Sequence, residues 1–472
     1  MNAPVDVRRA SKIRDLARVT RPLGSPLCAP AAADLEHIPG KKGLPWVGVL
    51  PEAAADPLLF AQRMHQRFGP VHRFYALGEW NVQLVGPEAS ELLLFDSQRN
   101  FSATHGWSRV LGPLFPGGLL LRDFEDHRVH RRAVGSAFKP DLVAAGLQIF
   151  ENQTRAMIDR VSGTRLFFYR ELREVALEAA ALGFLGLSPG ADSQEFSLAF
   201  TALVSATVAI LPGWLPGSSL HRGRTGRRLL EKFINARIAE RRIGGGDDLF
   251  SQLCIARYDD GTPLTNQEIV DHLIFVLAAA HDTLTSCLAS TIYFLAAEPD
   301  WQAQVRSECR AAGLYKNDVH ANVQLLSELP VTDAVIREAL RLNTPAPIIW
   351  RRAIRRFEFN GITIPAGTPT ATNVLLTHRL PEHWRNPEQF DPHRFLLPAP
   401  DRHRFAWTPF GGGVHMCLGL HHAMLHAKSF LAQLLERNEV VLDPGYSPRW
   451  YWWPNCRPLD GLPVTLVRLS ER

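Results

Sequence analysis

The sequence predicts a mainly α-helical protein with a smaller β-rich subdomain, built as a single large domain. Helical patterns of apolar residues dominate from about His127 to Ala339. Alternating apolar and polar stretches between Val71 and Val85 predict a small antiparallel sheet. The composition, 46% hydrophobic and 21% charged in a chain of 472 residues, is typical of a soluble globular protein with a large core.

The first 34 residues predict a flexible, basic N-terminal extension. They are rich in Ala, Pro and Arg, and they lack the long apolar core of a secretory signal or a membrane anchor. The folded domain is expected to span residues 35–472. No internal stretch has the length and composition of a linker, since the Gly244–Gly246 turn is too short to separate domains.

Charge and cysteine content narrow the function classes. The net charge of +5 comes from short clusters such as Arg351-Arg352 rather than from long basic blocks, which argues against a nucleic-acid partner. The six cysteines are scattered and form no Cys-x-x-Cys pair, which argues against a disulfide framework. We therefore expect a cytoplasmic protein with no integral membrane anchor.

Two apolar stretches reach the roughly 20 residues that span a bilayer. Residues 196–220 contain no Asp, Glu, Lys or Arg, and residues 272–297 contain only Asp282. The first stretch is interrupted by Pro212 and Gly213, whereas the second follows a Thr265-x-x-Glu268 capping box of the kind that starts soluble helices. Both are predicted to be buried helices.

The segment Phe410–Gly419 contains the residues that are most informative about function. Gly411 to Gly413 allow the backbone to lie flat against something bulky. The run Leu420–Arg437 is predicted to be a helix, which places Cys417 just before a helix N-terminus, where a thiolate is favoured. A thiolate held in this way can ligate haem iron. An ordinary buried cysteine, or a zinc site formed with His421, His422 and His426, are the alternatives.

The pattern Phe410-x-x-Gly413-x-His415-x-Cys417-x-Gly419 resembles the haem-binding loop of the cytochrome P-450 superfamily. The resemblance implies the cytochrome P-450 fold, a haem-enclosing domain with haem b as cofactor, and Cys417 as the axial ligand to the iron. It also implies that Phe410 packs near the thiolate and that His415 contacts a haem propionate. Five motifs resemble the family in the right order, over about residues 39–467.

Further motifs gain roles only from this resemblance. Glu338-x-x-Arg341 and Arg394 resemble the buried structural network of the family. His127-x-x-x-Arg131 and Arg351 resemble its propionate ligands, because haem propionates need hydrogen-bonding cations.

Ala279-Ala280-His281-Asp282-Thr283 resembles the family's acid–alcohol pair above the iron. Thr283 would hydrogen-bond the bound dioxygen, and Asp282 would help to relay protons, since oxygen activation consumes two protons. Ala280 departs from the family, which usually has glycine there, and its methyl group is expected to narrow the local groove.

The substrate is expected to be lipophilic, because the pocket walls implied by the family are mostly apolar. The wall residues are expected to include Trp107, Leu111, Phe115, Ala279, Ala346 and Trp452. The segments Gly43–Gly48 and Leu211-Pro212-Gly213 look most similar to the retinoid- and sterol-hydroxylating branch. An isoprenoid, retinoid, steroid or fatty acid is therefore expected.

The resemblance implies a monooxygenase that uses O2 and, indirectly, NAD(P)H. No flavin or iron–sulfur motif is present in the sequence, so a separate ferredoxin or flavodoxin, with its reductase, is expected to deliver electrons to a monomeric enzyme. An acidic partner would dock on a cationic face formed by Arg128, Arg132, Arg402, Arg404 and Lys428.

Two other functions remain open on sequence grounds. One is a haem-thiolate peroxygenase or isomerase that needs no redox partner, although the Asp282–Thr283 pair argues against it. The other is a zinc-binding structural protein, which predicts no chromophore.

Overall fold

A computed structural model describes residues 27–45, 47–76, 78–135, 138, 140–187, 191–208, 217–315, 323–453 and 455–469. Residues 1–26 of the predicted extension and the segment Leu211-Pro212-Gly213 lie outside the described residues.

Helices make up most of the described chain, which confirms the predicted mainly α architecture. The first nine helices are α1 (Leu50–Ala55), α2 (Pro57–Phe68), α3 (Pro87–Phe95), α4 (Ala103–Leu111), α5 (Phe124–Gly135), α6 (Pro140–Val161), α7 (Phe168–Leu185), α8 (Ala191–Ser205) and α9 (Ser219–Gly244). The others are α10 (Leu249–Ile255), α11 (Asn266–Ala297), α12 (Pro299–Ala311), α13 (Val323–Ser327), α14 (Pro330–Leu342), α15 (Val374–Thr377), α16 (His393–Leu396) and α17 (Leu420–Arg437).

The smaller β part consists of one mixed sheet and three smaller units. Its strands are β1 (Gly40–Lys41), β2 (Val71–Ala76), β3 (Glu79–Leu84), β4 (Phe101–Ser102), β5 (Arg165–Phe167), β6 (Ile348–Ala353), β7 (Phe357–Phe359), β8 (Ile362–Ile364), β9 (Pro369–Asn373), β10 (Asn438–Val441), β11 (Trp450–Tyr451), β12 (Arg457–Pro458) and β13 (Pro463–Arg468). The six-stranded sheet has the order β1-β2-β3-β9-β6-β4, and β10-β13-β5 form a second sheet. Strands β7 and β8 form one two-stranded ribbon, and β11 and β12 form another.

The antiparallel sheet predicted between Val71 and Val85 is confirmed. Strands β2 and β3 pair antiparallel, with Val71 opposite Leu84. Strand β9 then pairs with both β3 and β6, which joins this N-terminal hairpin to strands from the last third of the chain. The pairing places Arg351 of β6 opposite Thr370 of β9.

Helix α11 divides the helical core into two parts. Its first half, including Ile269 and Leu273, is buried with α7 to α10, and its second half, including Leu288 and Ile292, is buried with α6, α14 and α17. Between the two halves, the residues Ala279, Ala280, His281, Thr283 and Leu284 approach a cavity. The helix therefore holds its central turn at a gap that the two cores leave between them.

Residues 196–208 of the first apolar stretch and all of the second are helical. The first forms α8 and ends at Ser205, followed by a short 3₁₀ turn. In the described part of the chain, α11 alone is long and apolar enough to cross a bilayer, and 61% of its most apolar window is buried inside the protein. This burial is the one expected of a core helix.

Residues 27–34, although predicted to belong to the flexible extension, contact the body of the protein. Arg352 Nη1 donates a hydrogen bond to the carbonyl of Leu27 (3.0 Å), and Arg73 Nη1 donates to the carbonyl of Ala32 (3.1 Å). The chain thus packs against the sheet from Leu27 onward.

Candidate active site

The cysteine loop, residues 410–419, is positioned by close backbone packing. Gly413 has a φ of +61°, and a Cβ atom there would lie 2.0 Å from the carbonyl oxygen of Leu94. A Cβ atom at Gly412 would lie 2.8 Å from the ring of Phe95. The glycines therefore let the loop lie directly against the C-terminal end of α3. Helix α17 follows at Leu420, as predicted.

The loop closes one side of a mostly apolar cavity of about 380 Å³. Its other walls include residues from α4, α5, α6, α7, α11 and β6 and from the segment that precedes β6. The structure brings ten of the predicted site residues to this one cavity: Cys417, Phe410, His415, His127, Arg131, Arg351, Thr283, Trp107, Ala279 and Ala346. Residues from distant parts of the sequence thus meet around one space.

Three predicted pocket residues, Leu111, Phe115 and Trp452, are not among the residues that line this cavity. Phe115 is buried and meets the ring of Phe275 edge-on at 6.1 Å. Leu111 packs against the same helical core, and Trp452 packs in a separate small cluster. All three side chains lie within apolar packing, which the sequence pattern alone does not distinguish from a cavity wall.

The thiol of Cys417 opens into the cavity. Its backbone N–H donates to the carbonyl of Phe410 (2.9 Å), which closes the loop. Burial raises the pKa of the Cys417 thiol, while the N–H of Gly419 and the charge of Arg131 act in the opposite direction. These two groups and the start of α17 favour a thiolate, which a bound metal would favour further.

Four basic residues crowd one end of the cavity. The rings of His127 and His415 lie 3.9 Å apart, and burial, followed by the charge of Arg131, lowers the pKa of His127 to about 4. Burial also lowers the pKa of Arg351 to about 10. In the described part of the chain, neither Arg131 nor Arg351 forms an ion pair with an acidic side chain.

This arrangement fits the haem that the resemblance predicts. Arg351 is buried and Arg131 partly buried, and guanidinium groups that form no ion pair in such a setting favour an anionic ligand, which two haem propionates would supply. Close by, the buried indole nitrogen of Trp107 has no hydrogen-bond partner, so an additional donor is available there. The cavity combines this cationic end with apolar walls and a cysteine, which are the three features that a haem requires of its site.

The acid and the alcohol predicted on α11 point in different directions. Thr283 faces the cavity, and its Oγ1 donates a hydrogen bond to the carbonyl of Ala279 (2.7 Å). Asp282 is not part of the cavity wall and instead contacts Nδ1 of His281 (2.9 Å). His281, which the sequence reasoning gave no role, is buried and lines the cavity. The sequence signal that could have identified His281 is a histidine next to an aspartate within an otherwise apolar helix.

Glu338, Arg341 and Arg394 form the buried network that the resemblance implies. Arg341 donates two hydrogen bonds to the Glu338 carboxylate, at 2.8 Å each, and Arg394 donates a third at 3.2 Å. The backbone N–H of Asp391 donates a fourth at 3.0 Å. Glu338 and Arg341 are fully buried.

The zinc alternative is not supported. Among the described residues, no group of three or more His, Cys, Asp and Glu side chains is arranged to hold a metal ion. The ring centroids of His422 and His426 lie 3.8 Å apart with the rings tilted by 33°, and Nδ1 of His426 lies 2.8 Å from the carbonyl oxygen of His422. They therefore do not converge with Cys417 on a common point.

The predicted cationic docking face is also corrected. Lys428 is buried and pairs with Asp333 at 3.2 Å, and Arg402 lies over the ring of Trp384. The three exposed members are each paired with an acidic side chain: Arg128 with Glu125, Arg132 with Asp259, and Arg404 with Glu91. Paired charges present little net positive field to a partner.

Comparisons with known proteins agree with this geometry. The sequence profile of the family described as cytochrome P-450 matches residues 38–183 and 191–450. A Mycobacterium tuberculosis protein that carries the name cytochrome P-450 136 is 35% identical and covers 93% of this chain and 90% of its own. Abscisic acid 8'-hydroxylase 2 of Oryza sativa is 29% identical and covers 91% of this chain and 86% of its own.

A solved structure described as retinoic acid bound cyanobacterial CYP120A1 superimposes with a TM-score of 0.82 at 29% identity, covering 92% of this chain and 99% of that one. The profile match extends over most of the chain, and the fold agrees over the same length. The chain therefore belongs to the cytochrome P-450 family, whose members are haem-dependent monooxygenases.

Proposed function

We propose that Cys417 is the axial thiolate ligand of a haem b, and that the enzyme hydroxylates a lipophilic substrate with O2 and electrons from a separate protein. The observation that carries this proposal is the convergence of Cys417, the cationic end and Thr283 on one cavity. When bound, haem supplies the iron at which dioxygen is activated and from which one oxygen atom enters the substrate.

The chain's own residues hold the cofactor. Arg131, Arg351, His127 and His415 would bind the propionates, because these basic groups line the end of the cavity that lacks acidic partners. Phe410 would lie against the thiolate, since its carbonyl accepts the hydrogen bond from the Cys417 N–H. The buried Glu338 network would hold the surrounding scaffold, and Arg341 extends it through hydrogen bonds to the carbonyls of three further residues.

Thr283 is the side chain on α11 best placed to act at the bound oxygen. Its hydroxyl lies on the cavity wall and already donates to Ala279, so a single rotation redirects the hydrogen toward the cavity. Asp282 lies next in the chain and is partly exposed, with 19% of its side chain accessible. The pair would transfer protons from solvent to the cavity.

The substrate class follows from the walls around Thr283. Phe275, Val276, Ala279 and Leu284 are apolar and line the cavity. Two relatives are named for isoprenoid-derived acids, abscisic acid and retinoic acid. An isoprenoid, with a retinoid, steroid or fatty acid as related possibilities, suits such a cavity best. Titration with retinoic acid, abscisic acid, testosterone and lauric acid should give a change in the haem spin state with at least one of them.

Electrons would reach the haem from NAD(P)H through a ferredoxin or flavodoxin and its reductase. This proposal rests on the sequence, which contains no flavin or iron–sulfur motif. The enzyme would act as a cytoplasmic monomer. Reconstitution with a ferredoxin and its reductase should give product, whereas product formation from peroxide alone at the same rate would contradict the need for a partner.

The decisive test is the absorption spectrum of the purified protein after reduction under carbon monoxide. A Soret band at the long-wavelength position of thiolate-ligated haem is expected, and Cys417→Ala should abolish it. Cys287→Ala is the matched control, because Cys287 lines the same cavity and should leave the band in place. Retention of the band in Cys417→Ala, or a colourless wild-type protein that contains zinc, would contradict the proposal.

A further inference from the structure

His281 makes two polar contacts within the core. Its Nε2 lies 3.2 Å from the carbonyl oxygen of Arg173 on α7, and its Nδ1 lies 2.9 Å from Oδ1 of Asp282. Only 3% of His281 is exposed, and the ring of Phe200 on α8 stands edge-on against it at 5.6 Å. The imidazole is thus enclosed between α7, α8 and its own helix, and it reaches the cavity wall.

Both ring nitrogens of His281 face oxygen atoms that act as acceptors. A carbonyl oxygen only accepts, so the contact with Arg173 is a hydrogen bond only when Nε2 carries a hydrogen. A neutral imidazole has one N–H, so either tautomer leaves one nitrogen without a hydrogen against an oxygen of Arg173 or Asp282. Both contacts are hydrogen bonds at the same time only when the pair holds one more proton.

We propose that His281 and Asp282 together hold one proton more than a neutral imidazole and an ionised carboxylate would hold. His281 is then the positioning residue that holds this proton for oxygen activation. The functional half of this proposal rests on the proposed monooxygenase reaction. In the step, the Oδ1–H bond forms as the Nδ1–H bond breaks. The Oδ1–H bond then breaks as the Thr283 hydroxyl oxygen accepts the proton and releases its own hydrogen into the cavity. A proton from solvent at the exposed side of Asp282 restores the pair, and no electron moves.

A neighbouring group is suited to leaving the proton on this pair. Tyr169 on α7 is a weak acid that interacts with the charge of Asp282. Burial, followed by the charge of Asp282, raises the pKa of Tyr169 to about 12, so its hydroxyl stays protonated. Arg173 on α7 and Arg457 in β12 contribute positive charge around the same tyrosine. Tyr169 therefore does not compete with the pair for a proton near neutral pH.

The test counts protons on the pair in the holoenzyme. The ferrous carbon monoxide form, labelled with ¹⁵N-histidine, should show His281 with hydrogens on both ring nitrogens, or infrared difference spectra should show Asp282 as a protonated carboxylic acid. His281→Gln assigns the ring signals, and Asp282→Asn should leave His281 with a single N–H on Nε2. A wild-type His281 with one N–H beside an ionised Asp282 would overturn the proposal.

His393 provides the matched control. Its Nδ1 lies 3.0 Å from Oδ1 of Asp391, a similar contact that is exposed to solvent. His393→Gln should remove only its own signals and leave turnover unchanged.

A functional readout separates proton delivery from a structural role. With whichever of the four probe compounds the wild type hydroxylates fastest, His281→Gln should lower kcat roughly 100-fold, the lower end of what a positioned proton donor contributes. KM and the carbon monoxide band should be unchanged, because Gln retains the donor to Arg173. An unchanged kcat would overturn the functional half of the proposal. A wild-type protein without the thiolate band would instead refute the proposed function. The number of protons on His281 and Asp282 is tested separately, by the nitrogen and infrared spectra.

Discussion

Glu338 illustrates how strongly one buried charge depends on its partners. Its carboxylate accepts four hydrogen bonds and is fully buried together with Arg341. Removing one member of such a group leaves the others charged in a medium that solvates them poorly. The network therefore has to be complete to be stabilising.

We expect Glu338→Gln to lower the free energy of unfolding by about 3–5 kcal/mol, because Arg341 and Arg394 lose their counter-charge. Urea unfolding of the holoprotein, followed by circular dichroism, measures the loss. Glu125→Gln is the control, since Glu125 and Arg128 have the same three-residue spacing but lie in solvent, and its stability should be unchanged. Equal effects in the two variants would show that burial is not the deciding factor.

At the scale of single residues, the sequence predicted which functional groups are present better than it predicted where their side chains point. Cys417, His127 and Arg131 carry functional groups at recognisable spacings, and all three reach the cavity. Trp452 was predicted to line the pocket and packs in a separate apolar cluster, since a sequence does not show whether an apolar side chain packs against protein or faces a cavity. The partner of Asp282 was missed because contact between adjacent side chains depends on rotamers, which spacing does not specify.

At the scale of elements, the start of α11 is fixed by a reciprocal cap. The N–H of Glu268 donates to the Thr265 hydroxyl at 3.3 Å, and the N–H of Thr265 donates to the Glu268 carboxylate at 2.8 Å. The sequence predicted this capping box, and the structure confirms it. The cap thus provides hydrogen-bond partners for the first turn of α11 independently of how its apolar face packs.

Thr265→Ala should destabilise the protein by about 1 kcal/mol, since the N–H of Glu268 loses its acceptor. The same substitution should speed hydrogen exchange in the first turn of α11 more than in its centre. Thr265→Ser retains a hydroxyl and should restore most of the stability. Uniform exchange along α11 in Thr265→Ala would argue that tertiary packing, rather than the cap, fixes this end.

Helices and strand pairs could be predicted where the residues that determine them lie close together in the sequence. Helix α17 has the predicted bounds, and the β2–β3 pair follows from alternation and a short turn. The order of the large sheet was not predictable, because β9 pairs with β3 from a distant part of the chain. Such pairings depend on the packing of the whole domain, and a single sequence contains no local signal for them.

For the whole molecule, buried histidines link stability to pH. Burial lowers the pKa of His72 to about 4 and that of His378 to about 3, and it lowers the pKa of His272 well below the ordinary value of 6.5. In His378, Nδ1 faces the carbonyl of Arg341, while Nε2 accepts the N–H of Thr408. Protonation would remove that acceptor.

These three groups take up protons on unfolding below about pH 6.5. Their folded pKa values are depressed, so the stabilisation is complete above 6.5 and is lost as the pH falls toward 4. Near pH 5 the protons of His72 and His378 together correspond to a slope of roughly 3 kcal/mol per pH unit, and that of His272 acts in the same direction. Urea unfolding at several pH values between about 7 and 5 measures the slope, and His72→Gln should reduce it by about one proton.

The contact between the cysteine loop and the end of α3 has a consequence for how the protein is made. Leu94 and Phe95 emerge from the ribosome early, whereas Gly412 and Gly413, which rest on them, belong to the last part of the chain. In the nascent chain, one wall of the cavity therefore stays uncovered until residues 412 and 413 have been synthesised. Cofactor binding is thus expected only after the cysteine loop has left the ribosome, and truncation just before residue 410 should yield a chain that chaperones retain.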